Sequence, residues 1–138
     1  DRLPKLRDVM EGRSLSATPN GYLNLIHVED AVTIVLAVEQ QATTPALLLV
    51  SDGQPVSRGA FYSELARLTN SPEPRFEDPC VDSSTARSAT TTNKRIDNSE
   101  LRARVRFAYR YPSYIEGLAS IVNEQNDRRD ADVGFTSD

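Results

Sequence analysis

The stretch Leu23-Asn24-Leu25-Ile26-His27-Val28-Glu29-Asp30 runs straight into the apolar Ala31-Val32-Thr33-Ile34-Val35-Leu36-Ala37-Val38 and constrains the chain more than any other feature. Leu25, Ile26 and Val28 are apolar, and the turn pair Asn20-Gly21 precedes them, which predicts a strand from about residue 22. The apolar run after it is ambiguous by residue type, because Val, Thr and Ile also suit strands. Its length and its Ala and Leu content favour a helix to about residue 40. Ala31, Ile34, Val35 and Val38 keep the i, i+3, i+4, i+7 spacing of one face, and Val32 and Leu36 widen that face. A helix so apolar is expected to be largely buried. Glu29 and Asp30 stand at its start, where carboxylates meet free backbone N–H groups and the positive end of the helix dipole.

Other elements can be placed around this pair. Leu3, Leu6, Val9 and Met10 are close to helical spacing, with Gly12 as a stop. Residues 14–21 read as a loop with room for a short edge strand. Residues 46–50, Ala-Leu-Leu-Leu-Val, are an uninterrupted apolar run between Pro45 and Ser51-Asp52-Gly53, the pattern of a strand covered on both faces. Ser57 is placed to cap a helix through about Thr69, with Phe61, Leu65 and Leu68 on one face and Tyr62 beside them. Pro72, Pro74 and Pro79 break up the segment after that helix. The small polar tract 83–92 has almost nothing to bury and reads as a mobile loop. Lys94-Arg95-Ile96 suggests a short strand. Asp97 and Glu100 have capping-box spacing ahead of a short helix with Leu101 and Val105 inward, and Ser113 with Glu116 repeats the device. Ile115, Leu118, Ala119 and Val122 then mark the face of a last helix, with a polar tail expected to fray from Glu124 onward. Strands alternating with helices point to α/β. Two firm strands, however, are too few for an independent parallel sheet.

Composition narrows the function. A chain of 138 residues is enough for one domain with a real core, and its net charge of −4 gives no general pull toward nucleic acid or an anionic membrane. No apolar run approaches the roughly 20 residues needed to span a bilayer. The single cysteine, Cys80, excludes an internal disulfide and fits a reducing, cytoplasmic compartment. One His and one Cys are too few for a Cys/His zinc site. The chain begins at Asp1, which suggests a piece of a longer protein.

Three separated segments together resemble one family. Asn24-Leu25-Ile26-His27-Val28-Glu29-Asp30-Ala31-Val32 is similar to the strand-to-helix signature in the later part of extended short-chain dehydrogenases/reductases, the NAD-dependent epimerase/dehydratase family. Leu47-Leu48-Leu49-Val50-Ser51-Asp52-Gly53-Gln54-Pro55-Val56-Ser57 resembles that family's later core strand and the turn into its next helix. Asp97-Asn98-Ser99-Glu100-Leu101, then Arg106-Phe107, then Tyr111-Pro112-Ser113-Tyr114-Ile115-Glu116-Gly117-Leu118, resembles its C-terminal ending. Order and spacing agree across roughly residues 20–123.

The family holds its dinucleotide through a Gly-rich turn after the first strand and transfers protons with Tyr-x-x-x-Lys. Neither is found here, and none of the five tyrosines has a Lys four residues later. Both features belong to the N-terminal half of such enzymes. The resemblance therefore implies the C-terminal, substrate-side part of a Rossmann-type α/β protein, mostly helical with two or three short strands over 1–123, ahead of a tail at 124–138. NAD or NADP is implied for the parent and no cofactor for this part. Sugar-nucleotide members carry Arg-Asp where Leu23 and Asn24 stand, so a nucleotide-sugar substrate does not carry over. Arg106 likewise replaces a common Gly.

His27, the lone histidine, lies at a strand end where it could face a small-molecule substrate; the alternative is a packed imidazole with one satisfied nitrogen. Lys94 and Arg95 precede a capped helix and could hold an anionic group, Arg95 with two bonds; solvent exposure or a local ion pair is the alternative. Arg102, Arg104, Arg106 and Arg110 with Phe107, Tyr109 and Tyr111 form a basic aromatic patch of the kind that holds single-stranded nucleic acid, but the acidic total argues against such a partner. The carboxylates show no pairing for acid/base work. The sequence thus predicts a substrate-binding part with no catalytic residues of its own; the alternative is a non-catalytic ligand- or protein-binding module related to the family. A core strand without neighbours further predicts self-association of the isolated chain.

Overall fold

The computed structural model describes residues 5–41, 47–77 and 93–133. The elements are α1 (Leu6–Met10), β1 (Leu15–Ser16), β2 (Tyr22–Leu23), α2 (Val28–Glu39), β3 (Val56–Ser57), α3 (Arg58–Leu68), β4 (Phe76–Glu77), α4 (Ser99–Arg104) and α5 (Tyr114–Val133). The chain is mixed α/β, rich in helix, with four two-residue strands in two separate two-stranded sheets. β1 pairs parallel with β4, and β2 pairs antiparallel with β3.

Local rules explain the helix ends. The Ser57 hydroxyl accepts from the Ala60 N–H at 3.2 Å and starts α3. Ahead of α5, Glu116 reaches back to the Ser113 N–H at 3.0 Å, so the second capping box forms as the spacing predicts. The first forms only in half. Asp97 accepts from the Ser99 N–H at 2.9 Å, but Glu100 pairs with Arg104 one turn on instead of reaching back. The helix that starts at Tyr114 continues past Glu124 to Val133.

Two apolar clusters hold these elements together. In the larger, Leu6 and Val9 of α1, Phe61 and Leu65 of α3 and Leu118 and Val122 of α5 meet around Leu15. The smaller joins Ile34 of α2 to Leu101 and Val105, with Leu48, Val50 and Phe107 packed against it. The face α5 buries is Gly117-Leu118 and Val122, flanked by Tyr114 and Ile121; Ile115, expected to face inward, is 46% exposed.

The expected sheet is corrected in three places. The strand at 22–28 shortens to β2, and 24–27 runs extended without a ladder. Residues 47–50 form no strand among the described residues; Leu47 and Leu49 face outward while Leu48 and Val50 pack on the smaller cluster. A strand covered on both faces is therefore not what the described residues provide. The backbone bond found between the two stretches is Asp52 N–H to Leu25 C=O, 2.7 Å. At 94–96 a side chain takes the place of a strand: Asn24 donates to the Lys94 carbonyl at 2.9 Å and accepts from the Ile96 N–H at 2.7 Å. No local pattern marks β4, since its partner β1 lies far off in sequence. Cys80 and the tract 83–92 lie outside the described residues.

Helix α2 is the largest departure. Asp30 and Ile34 are buried, whereas Val28, Val32, Val35 and Leu36 are 48 to 65% exposed. Its apolar residues form two stripes, and the described residues cover one of them.

Candidate functional site

The site begins at the junction that organises the chain. His27, in extended conformation, is the N-cap of α2, and its Nδ1 accepts from the Glu29 N–H at 3.3 Å. An accepting Nδ1 carries no proton, so in the neutral ring the proton sits on Nε2. That nitrogen is buried and, among the described residues, has no hydrogen-bond partner. A buried donor left unpaired costs on the order of 1–3 kcal/mol, so this one invites an explanation.

His27 also helps to line a cavity of about 180 Å³, and the explanation lies there. Leu25, Phe61, Leu118 and Ile121 give it an apolar wall, and Tyr111, Asp52 and Ser113 add polar edges. Gly117 faces the imidazole from α5; a Cβ there would lie 3.6 Å from His27 Cδ2. The Tyr111 ring lies 3.8 Å from the His27 ring, tilted by 39°.

Asp30 holds Tyr111 in place. Its carboxylate is 1% exposed and accepts from the Arg110 N–H at 2.7 Å and the Tyr111 N–H at 3.0 Å. The expectation that Glu29 and Asp30 serve their own helix start is thus corrected. His27 caps the helix, Asp30 ties down the turn before α5, and Glu29 pairs with Arg110 on the surface. On the far side of the junction, Tyr109 donates to the Ser51 carbonyl at 2.7 Å and Asn98 donates to the same oxygen at 2.8 Å. Burial pushes the Tyr109 hydroxyl above its ordinary value.

Asp52 is 6% exposed, and burial pushes its carboxyl above the ordinary 3.8, against the pull of the Gln54 N–H it accepts at 2.8 Å. Between the ordinary and the raised value the folded chain holds a proton that the unfolded chain has lost. Stability therefore falls as pH rises through that window, and at pH 7 the ionised carboxylate works against folding. Asp52→Asn, which keeps the accepting oxygen, is expected to raise the melting temperature at pH 7 and to leave it unchanged below the window. Melting curves collected across pH check this, and a loss of stability at pH 7 would contradict it.

Of the residues singled out in the sequence, His27 lines the cavity and Lys94 and Arg95 do not. Lys94 and Arg95 are exposed. The Arg95 guanidinium stacks over Tyr22 at 4.1 Å and its Nε donates to Asn93, so its fork is engaged. In the arginine patch, Arg104 and Arg110 are paired with Glu100 and Glu29. Nothing in the sequence marks Tyr111, Asp30 and Gly117 as site residues. Only their partners across the fold give them a role.

A dinucleotide does not fit these residues. Pyrophosphate needs free N–H groups at a helix start. Those of α3 are taken: Arg58, Gly59 and Ala60 donate to Gly21, Pro19 and Ser57. The Glu29 N–H of α2 goes to His27, and two carboxylates stand beside it. Among the described residues no His/Cys/Asp/Glu group is arranged to hold a metal ion, and no helix is long and apolar enough to cross a membrane.

No family model matches the chain, and no curated protein sequence matches it. Among solved structures, a functionally unknown conserved protein from Silicibacter pomeroyi DSS superposes with a TM-score of 0.64 at 27% sequence identity over 78% of this chain. The match covers 40% of that protein, so the chain is similar to one part of a longer fold.

Proposed function

We propose that this chain is the substrate-binding, C-terminal portion of an NAD(P)-dependent epimerase, dehydratase or reductase of the extended short-chain type. The observation that carries the reading is the buried, unpartnered His27 Nε2 at an apolar cavity, at the strand-to-helix junction where the family resemblance is strongest. Two further features support it. The chain resembles part of a longer solved structure, and α2 exposes an apolar stripe suited to a second half. That second half would supply the Gly-rich turn and the Tyr-x-x-x-Lys pair. Without them, this portion binds no dinucleotide and turns nothing over.

Calorimetric titration of NAD and of NADP into the chain is the test. Binding no tighter than about 1 mM is expected for either, since that corresponds to only about 4 kcal/mol of affinity. A dissociation constant in the micromolar range would overturn the assignment. The α2 stripe also suits a second reading, a non-catalytic module that docks on a protein partner. The coding sequence upstream separates the two by showing whether both motifs are present.

A further inference from the structure

We propose that the His27 cavity takes a neutral, mainly apolar small molecule with one hydrogen-bond acceptor, a carbonyl or ether oxygen, that receives the Nε2–H of His27. This names the substrate class of the site above and rests on reading the cavity as that site.

Three observations lead to it. The first is size and wall. An apolar cavity of roughly 150 Å³ is known to take a single aromatic ring, and this one measures about 180 Å³ with Leu25, Phe61, Leu118 and Ile121 around it. The second is the donor. His27 is 7% exposed, its Nδ1 is committed to the Glu29 N–H, and its Nε2 has no partner among the described residues. One buried donor in an apolar wall selects for one acceptor, because a ligand without it leaves the donor unpaired. The third is charge. No Lys or Arg lines the cavity, and the Asp52 carboxylate does. An anion entering there would lose its water and meet like charge, with no cation to offset either.

The other polar groups on the wall are less free. Tyr111 accepts from Ser120 at 3.2 Å, Ser113 is bonded to Glu116, and Asp52 to the Gln54 N–H. Fixed in this way, they can shape the opening while the imidazole provides the specific contact. Gly117 completes the arrangement by leaving open the space beside the His27 ring that a side chain would fill.

The test uses three probes of similar shape: acetophenone, isopropylbenzene (which lacks the oxygen) and benzoate. Amide and imidazole resonances of the intact chain are followed by NMR during each titration. Acetophenone is expected to shift His27, Tyr111 and Gly117 and to saturate. Isopropylbenzene is expected to bind about tenfold more weakly, the factor that one ordinary hydrogen bond supplies. Benzoate is expected to leave those resonances in place. His27→Asn keeps an accepting side chain at the helix cap but removes the Nε2 donor, and should erase the difference between acetophenone and isopropylbenzene.

Equal binding of the two neutral probes to the unchanged chain overturns the proposed ligand class and leaves the cavity as a ligand site. Tighter binding of benzoate does the same. If none of the three probes perturbs the cavity residues, the ligand class and the reading of the cavity as a substrate site both fall.

Discussion

Replacing Asp30 with alanine is expected to destabilise the chain by about 3 kcal/mol and to lower its melting temperature by roughly 10 °C, the largest loss available from a single polar side chain here. The carboxylate accepts from two backbone N–H groups in the interior, Arg110 and Tyr111. Hydrogen bonds to a charged acceptor contribute about 1.5–3 kcal/mol each, and their loss also strands two buried donors. The neighbouring pair Glu29–Arg110 is as short as these bonds, at 2.7 Å, yet both side chains are substantially exposed. Exposed pairs contribute about 0–1 kcal/mol, so Glu29→Ala should be nearly silent. Equilibrium denaturation of the two variants separates them. If Glu29→Ala costs as much as Asp30→Ala, the assignment of the turn to Asp30 is wrong. The consequence reaches the cavity, because the turn that Asp30 holds carries Tyr111 against His27. Asp30→Ala should therefore also weaken the near-ultraviolet circular dichroism that a fixed tyrosine gives.

The contrast between Glu29 and Asp30 shows what can be read from the chain and what cannot. Adjacent carboxylates at the start of an apolar helix look alike in sequence, and the local rule assigns both to that helix. The partners of Asp30 lie at 110 and 111, beyond the reach of any local pattern. Where the governing interaction is local, the reading succeeds: Ser57 caps α3, Ser113 and Glu116 make a reciprocal cap, and Leu101 and Val105 face inward. Where it depends on a distant backbone, the reading fails. Leu47 and Leu49 look like core strand because they are apolar, but a strand needs a neighbour, and among the described residues none is aligned with them. His27 is legible as a candidate because it is the lone histidine at a strand end. Its capping role is not, since the local rule looks to Ser, Thr, Asp or Asn for that position.

Replacing Val35 and Leu36 together with lysine is expected to turn a self-associating chain into a monomer, weakening association by a hundredfold or more. The reason lies in the two stripes of α2. One meets Ile34's cluster; on the other, Val35 is 65% and Leu36 is 52% exposed, beside Val28 and Val32. A contiguous apolar stripe on a helix surface is what interaction sites look like, and the proposed second half of the protein would cover it. In the isolated chain, a second copy can take its place by setting stripe against stripe about a two-fold axis. Each half-exposed side chain then buries enough surface to contribute on the order of 1 kcal/mol, and symmetry counts each position twice, for about 4 kcal/mol in all. Lysine favours helix almost as well as leucine, and neither position is in the core, so the fold itself should be nearly unaffected. Sedimentation velocity over a wide concentration range decides the matter. A loss of association with an unchanged melting temperature places the contact on this stripe. A wild-type chain that stays monomeric at about millimolar concentration, where even an affinity of only 4 kcal/mol would show, rules it out.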